Sequence, residues 1–181
     1  APPSADAVFS AHASYLITGG FGGFGLEAAE WMVAQGARHL ALVGRRGAGS
    51  DDVRSRLDAL RARGATVLEL AADIAQEAQT IALLERIRAE LPPLEGVFHA
   101  AAALDDAPIA QLTPARIDNA MAAKCLGALH LHRHTAHDPL RHFVLFSSIS
   151  AMAGGSRQPA YAMACAYLDA LTRYRPGPGP P

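Results

Sequence analysis

The chain has 181 residues, which is enough for one domain and too few for a second. Sixteen basic against seventeen acidic residues leave a net charge of −1, excluding a general nucleic-acid binder, which needs a basic excess or stripe. Half the residues are hydrophobic, but 39 are alanine, so much of that figure is helix-forming filler around one core of Leu, Ile, Val, Phe and Met.

Two cysteines, Cys125 and Cys165, are too few for a disulfide framework or a cysteine-based zinc site. No apolar run approaches the ~18 residues of a membrane span. The start, Ala1-Pro-Pro-Ser-Ala-Asp6, has neither the basic nor the apolar region of a signal peptide. A soluble cytoplasmic α/β domain with no membrane or nucleic-acid partner is expected.

Residues 1–13 show no convincing periodicity and read as a leader or linker. Beyond them short apolar runs alternate with amphipathic stretches. Strands are expected at Ser14–Thr18, His39–Val43, Thr66–Ala71, Glu95–His99 and His142–Phe146, and helices at 24–36, 51–63, 76–90, 114–136 and 159–174. Strands joined by helices of this length read as right-handed βαβ units in a parallel sheet. Five such units give a Rossmann-type, doubly wound α/β fold, one strand short of the full six. No sequence period of ~20–50 residues marks a solenoid. Residues 176–181, Pro-Gly-Pro-Gly-Pro-Pro, can neither continue a helix nor join a sheet and read as a tail, leaving 14–175 as the domain proper.

The first strand runs into Thr18-Gly-Gly-Phe-Gly-Gly-Phe-Gly25 and then a helix. Gly20, Gly22 and Gly25 satisfy G-x-G-x-x-G, with Gly19, Phe21, Gly23 and Phe24 between and beside them. At a first βα turn, small residues let the backbone approach a pyrophosphate while the helix N-terminus offers free N–H groups. The alternative is that the glycines serve only a tight turn. About 20 residues on, where an NAD site carries a carboxylate for the ribose 2′-hydroxyl, the chain reads Val43-Gly-Arg-Arg-Gly47. Arg45 and Arg46 suit a 2′-phosphate instead, so NADPH is the expected cofactor. The bland alternative is a pair of solvated loop charges.

In the fourth helix Ile117, Met121, Lys124, Ala128 and Leu131 recur at helical spacing and form one apolar stripe with Lys124 in its middle. A lysine there is costly without a partner and is therefore a functional candidate; snorkelling to the helix edge is the alternative. His130, His134 and His137 resemble a metal-ligand spacing, but they project from the opposite face with no accompanying carboxylate motif. They read as a solvated histidine face, with no metal expected. The fifth strand ends in Phe146-Ser-Ser148, and Tyr161 opens the last helix, which could bring two hydroxyls into one cleft beyond the strand ends.

In order along the chain, Thr18–Gly25, Gly44-Arg-Arg-Gly47, Gly96-Val-Phe-His-Ala-Ala-Ala102, Leu104-Asp-Asp106, Lys124, Phe146-Ser-Ser148 and Tyr161 resemble the ketoreductase domains of type I polyketide synthases. These belong to the short-chain dehydrogenase/reductase superfamily. The likeness runs from about Ser14 to Tyr174. It implies hydride transfer from NADPH to the 3-keto group of an acyl chain held by phosphopantetheine on an acyl carrier protein, within a synthase of several domains. By the same resemblance Tyr161 is the general acid, Ser148 binds the substrate carbonyl, and Lys124 lowers the tyrosine pKa and binds the nicotinamide ribose. Asp73 and Ile74 match the adenine contact, and His99, Ala100 and Ala101 would lie beside the cofactor. Leu104, Asp105, Asp106 and Gln158 look like the B-type signature, which sets a D-configured hydroxyl.

Two departures from the family pattern stand out. Cys165 occupies the asparagine position of Tyr-x-x-x-Asn, on the same helix face as Tyr161; a thiol hydrogen-bonds less well than an amide. It is either a small packed residue or a reactive one. The family chain also continues beyond the last helix into another strand and a lid, so the fold is expected to be C-terminally truncated relative to it. A non-catalytic remnant that binds NADPH or packs within a synthase is the rival reading. A dehydrogenase of small alcohols is disfavoured, because Cys165 stands where such enzymes carry lysine.

Overall fold

The computed structural model describes residues 8–174, and the expected Pro/Gly tail at 176–181 lies outside them. Five parallel strands form one sheet: β1 (Ser14–Thr18), β2 (His39–Gly44), β3 (Thr66–Ala71), β4 (Leu94–His99) and β5 (His142–Leu145). Their order is β3-β2-β1-β4-β5, the doubly wound arrangement, and the expected strands agree with the observed ones to within one residue at each end. Continuous apolar sequence explains the middle of the sheet, since all five residues of β1 are buried and β2 and β4 are nearly so.

Helices α1 (Gly23–Ala34) and α2 (Asp51–Ala62) cover one face. Tyr15, Ile17, Leu40 and Leu42 point there, against Leu26, Met32, Leu57 and Leu60. Leu16, Ala41, Val43 and Val97 point to the other face, against Leu83, Leu84 and Ile87 of α3 (Glu77–Glu90) and Leu131. This alternation is the period-two consequence of a strand buried on both sides. Local capping sets the helix starts: the Ser50 side chain accepts from Val53 N–H ahead of α2, and Thr113 does the same for Arg116 ahead of α4 (Pro114–Met121).

Three expectations need correction. The helix foreseen at 114–136 is not one regular helix. It is α4, a π-helical turn at Ala122–Leu126, and α5 (Gly127–His134), with a 3₁₀ turn at Ile109–Gln111 just before them. Second, His130 is not solvated: it is buried, with Nδ1 3.0 Å from the Ile74 carbonyl oxygen, while His134 pairs with Glu77 at 2.8 Å. The π turn rotates the helix that follows it, so a face read at constant 100° per residue ends up elsewhere. Third, the segment read as a linker at 1–13, of which 1–7 lie outside the described residues, gives Phe9 and Ala13 to the core. Phe9 is buried among Tyr15, Trp31, Phe98 and His142 in edge-to-face contacts, and its N–H bonds to Gln35 O. The remaining elements are a four-residue α6 (Ser150–Ala153), absent from the sequence reading, and α7 (Pro159–Tyr174). No helix among the described residues is long and apolar enough to cross a membrane.

Candidate active site

The C-terminal ends of the strands open into a cleft of about 730 Å³, lined by Gly19, Phe21, Gly22, Gly23, Phe24, Gly25, Arg45, Arg46, Ala100 and neighbours. The glycines divide into two sets. Gly19 has φ +69°, and a Cβ on it would stand 2.8 Å from the Ala100 carbonyl group. A Cβ on Gly20 would sit 2.8 Å from Ile17 O, and one on Gly25 would fall on the Gly19 carbonyl oxygen. These three are required by the turn itself. At Gly23 a Cβ would meet nothing within 4 Å, and at Gly22 nothing nearer than 3.4 Å, so side chains there would fill only the cleft. Helix α1 starts at this point with no side-chain cap and no acidic residue in its first turn, leaving its N–H groups toward the opening.

Arg45 and Arg46 are exposed on the cleft wall, and among the described residues no carboxylate lines this cleft. A smaller adjoining hollow of about 110 Å³ is lined by Thr18, Val43, Arg45, Asp73, Ile74 and Ala101, among others. Asp73 is braced, its Oδ1 accepting from Ala75 N–H and its own N–H donating to Gln79.

The second cluster is assembled from α4 to α7. Lys124 is the only lysine in the chain and is 3% exposed, which settles the question of snorkelling. It sits in the π turn, its ammonium donating to Phe146 O at 2.6 Å and lying 5.3 Å from the centroid of the Tyr161 ring. Burial pulls its pKa down, partly offset by the two cysteines. Ile117 and Met121, expected on the same stripe, are only half-buried. Tyr161, in the first turn of α7, has Ser148 and Cys165 as its polar neighbours. Ser148 also accepts from Ser150 N–H at 3.1 Å.

The Tyr161 hydroxyl is pushed above its ordinary value, chiefly by burial and then by Cys165, with Ser148 pulling the other way. This corrects the expectation that Lys124 lowers it: the ammonium lies over the ring face and is directed at a backbone carbonyl, not at the phenol oxygen. Cys165 is fully buried, and its carbonyl accepts from Ser147 Oγ at 3.2 Å; it is packed, not presented to solvent.

At the mouth, Leu104 is exposed and the two acids after it diverge. Asp105 pairs with Arg116 on α4 at 3.0 Å, and Asp106 accepts from Gln158 Nε2 at 2.9 Å. Gln158 reaches back to Ser150 at 3.4 Å. It follows Arg157, whose φ of +61° makes it the one non-glycine residue with positive φ among those described. Sequence reasoning passed over Ser150, Arg116 and Phe146 O; a signal that Lys124 is special was present in its being the only lysine.

Comparison with known proteins bears on the whole described chain. Residues 13–181 match the family described as the KR domain. The hybrid PKS-NRPS synthetase pyvA of Aspergillus violaceofuscus is 42% identical over 177 residues, covering 96% of this chain and 4% of that protein. The phenolphthiocerol synthesis polyketide synthase type I Pks15/1 of Mycobacterium marinum is also 42% identical, over 98% of this chain and 8% of its own length. Among solved structures, A-type ketoreductases from a modular polyketide synthase superpose with a TM-score of 0.85 at 43% identity, over 97% of this chain and 37% of theirs. The first ketoreductase of the tylosin PKS gives 0.83 at 38% identity, over 97% and 38%. The chain thus spans under a tenth of these curated relatives and under two fifths of these solved chains. It belongs to the KR family, the ketoreductase domains of polyketide synthases, built on the short-chain dehydrogenase/reductase fold.

Proposed function

We propose that the chain reduces a 3-ketoacyl thioester, carried by phosphopantetheine on an acyl carrier protein, to the 3-hydroxyacyl thioester with NADPH, alongside the other domains of a polyketide synthase. The observation that carries this reading is the convergence of Tyr161, Ser148 and the buried Lys124 beside a glycine-walled cleft. The cleft fits a dinucleotide: Gly22 and Gly23 leave a cradle that a Cβ would fill, and two guanidiniums stand on a wall without carboxylates. In this reading the glycine loop and the start of α1 hold the diphosphate, Arg45 and Arg46 the 2′-phosphate, and Asp73 and Ile74 the adenine. When bound, the cofactor supplies hydride to the keto carbon.

The protein's part is to manage charge at the keto oxygen. Tyr161, with its pKa raised, is fully protonated at neutral pH and donates its proton to that oxygen as alkoxide character develops. Ser148 donates a hydrogen bond to the same atom. Lys124, its ammonium donating to Phe146 O and 5.3 Å from the ring centroid, stands beside the tyrosine and would bind the nicotinamide ribose. Leu104, Asp105, Asp106 and Gln158 support a B-type outcome, although the similar structures include A-type ketoreductases.

The test is NADPH oxidation with a 3-ketoacyl thioester, followed by chiral analysis of the product. Turnover that drops at least a hundredfold in Tyr161→Phe is the expected result; an undiminished rate in that variant sinks the reading. A second reading, a domain that binds NADPH without turnover, is favoured by Cys165 at the asparagine position. Retained NADPH binding with no turnover in the unaltered chain, and turnover restored in Cys165→Asn, would establish it.

A further inference from the structure

A buried histidine needs both ring nitrogens satisfied, and His99, at the end of β4 and 1% exposed, has both. Its Nδ1 lies 2.7 Å from the Thr18 hydroxyl and its Nε2 3.1 Å from the Lys124 carbonyl oxygen. A carbonyl only accepts, so Nε2 carries the hydrogen; Nδ1 must then accept from the Thr18 hydroxyl, and the tautomer is fixed. Room for the ring comes from Gly127, where a Cβ would stand 3.3 Å from His99 Cε1 and 2.7 Å from Ile74.

We propose that His99 is a positioning residue for Lys124, a strut that holds the π turn against the end of β1 and so sets where the ammonium sits. Lys124 lies at the centre of that turn, in which the Gly127 N–H reaches back to the Ala122 carbonyl. Such turns are displaced from the ordinary helical ladder and depend on what packs against them. The main chain of Lys124 is held by His99, and the tip of its side chain by Phe146 O. The far end of the strut is Thr18, the residue before the glycine loop. One imidazole therefore ties the nucleotide loop to the lysine. Misplacement of a reacting group by ~1 Å costs up to about a hundredfold in rate, so a strut of this kind governs rate more than substrate affinity.

The kinetic arm of the test rests on the reductase reading; the spectroscopic arm does not. In the full 181-residue chain, lysine labelled at Nζ gives one side-chain signal, because Lys124 is the only lysine. His99→Phe keeps the ring volume but removes both hydrogen bonds, and is expected to move that signal and shift its titration midpoint by about half a unit or more. His99→Gln keeps a donor and an acceptor and is expected to return the signal toward its original place. An unmoved lysine signal in His99→Phe overturns the proposal. Should His99→Phe not fold, ring ¹⁵N shifts of the unaltered chain still decide: the Nε2–H tautomer is required, and finding Nδ1–H overturns it. In turnover, His99→Phe is expected to lower kcat about tenfold with KM for NADPH within about twofold, and to have no further effect in a Lys124→Met background. Equal losses in both backgrounds mean a merely structural histidine. Absence of turnover in the unaltered chain would count against the reductase reading alone, with the lysine signal still deciding on His99.

Discussion

From Thr18 to Gly25 the candidate site is made chiefly by backbone, whereas from His99 to Cys165 it is made by side chains. The first region is a single contiguous turn in which Gly19, Gly20 and Gly25 let strand and helix touch, and its remaining glycines leave space. The second draws Lys124 from a π turn, Ser148 from beyond β5, Tyr161 and Cys165 from α7 and Asp106 from the loop after β4, and its hydrogen bonds, Lys124 to Phe146 O and Gln158 to Asp106, span up to 52 residues. A backbone site is fixed by fold and tolerates no added atom at its packed positions. A side-chain site can be emptied of function with the fold intact.

The largest expected effect exploits that asymmetry. Replacing Lys124 by Met removes a buried charge, so thermal stability should hold or rise, while the rate of ketone reduction falls roughly a hundredfold or more. A calorimetric Tm that drops by many degrees would place Lys124 in the structural category instead. Next in size is pH. Burial pushes His99 down to about 4, below its ordinary value of 6.5. As pH falls through that window the unfolded chain takes up a proton that the folded chain refuses, so stability declines and levels off below about 4. At ~1.4 kcal/mol per unit this amounts to about 3 kcal/mol, visible as a difference in urea midpoints between the unaltered chain and His99→Gln at pH 7 and pH 4.

At the nucleotide end, changing Arg45 and Arg46 together to Ala should weaken NADPH binding ~10–100-fold and leave NADH binding unaffected. Equal losses for both cofactors, by titration calorimetry, would mean that the pair does not read the 2′-phosphate. Smallest of all, Gly25→Ala should cost about 1–3 kcal/mol of folding stability through overpacking, whereas Gly23→Ala should unfold at the same urea concentration yet bind NADPH more weakly. The opposite pattern would dissolve the distinction between packed and open glycines.

The two regions also differed in how far sequence could reveal them. All five strands follow from apolar runs bounded by turns, and the glycine loop from local spacing, because both are short-range consequences of chain geometry. Lys124 was visible as a charge on an apolar stripe, although the stripe assumed a regular helix and the helix contains a π turn. That same turn is why His130, read as solvated, is buried. Phe9 gave no periodic signal, since a single aromatic residue packing against Tyr15 and Trp31 has no period. The Asp106–Gln158 and His99–Lys124 links are tertiary: no local pattern encodes a hydrogen bond between side chains or turns far apart in sequence, and only the folded chain displays them.

Having one lysine also shapes how the molecule meets reagents. Every other strongly basic side chain is a guanidinium, inert toward the acylating and reductive-alkylating chemistry that decorates amines. The single side-chain amine is buried, with its basicity weakened by that burial. Side-chain labelling by a compact aldehyde or active ester would therefore be a titration of the interior, stoichiometric at one position and slowed by whatever covers that position. Apart from the α-amine the exterior would go unmarked, so the extent of lysine modification becomes a direct gauge of how far the interior opens.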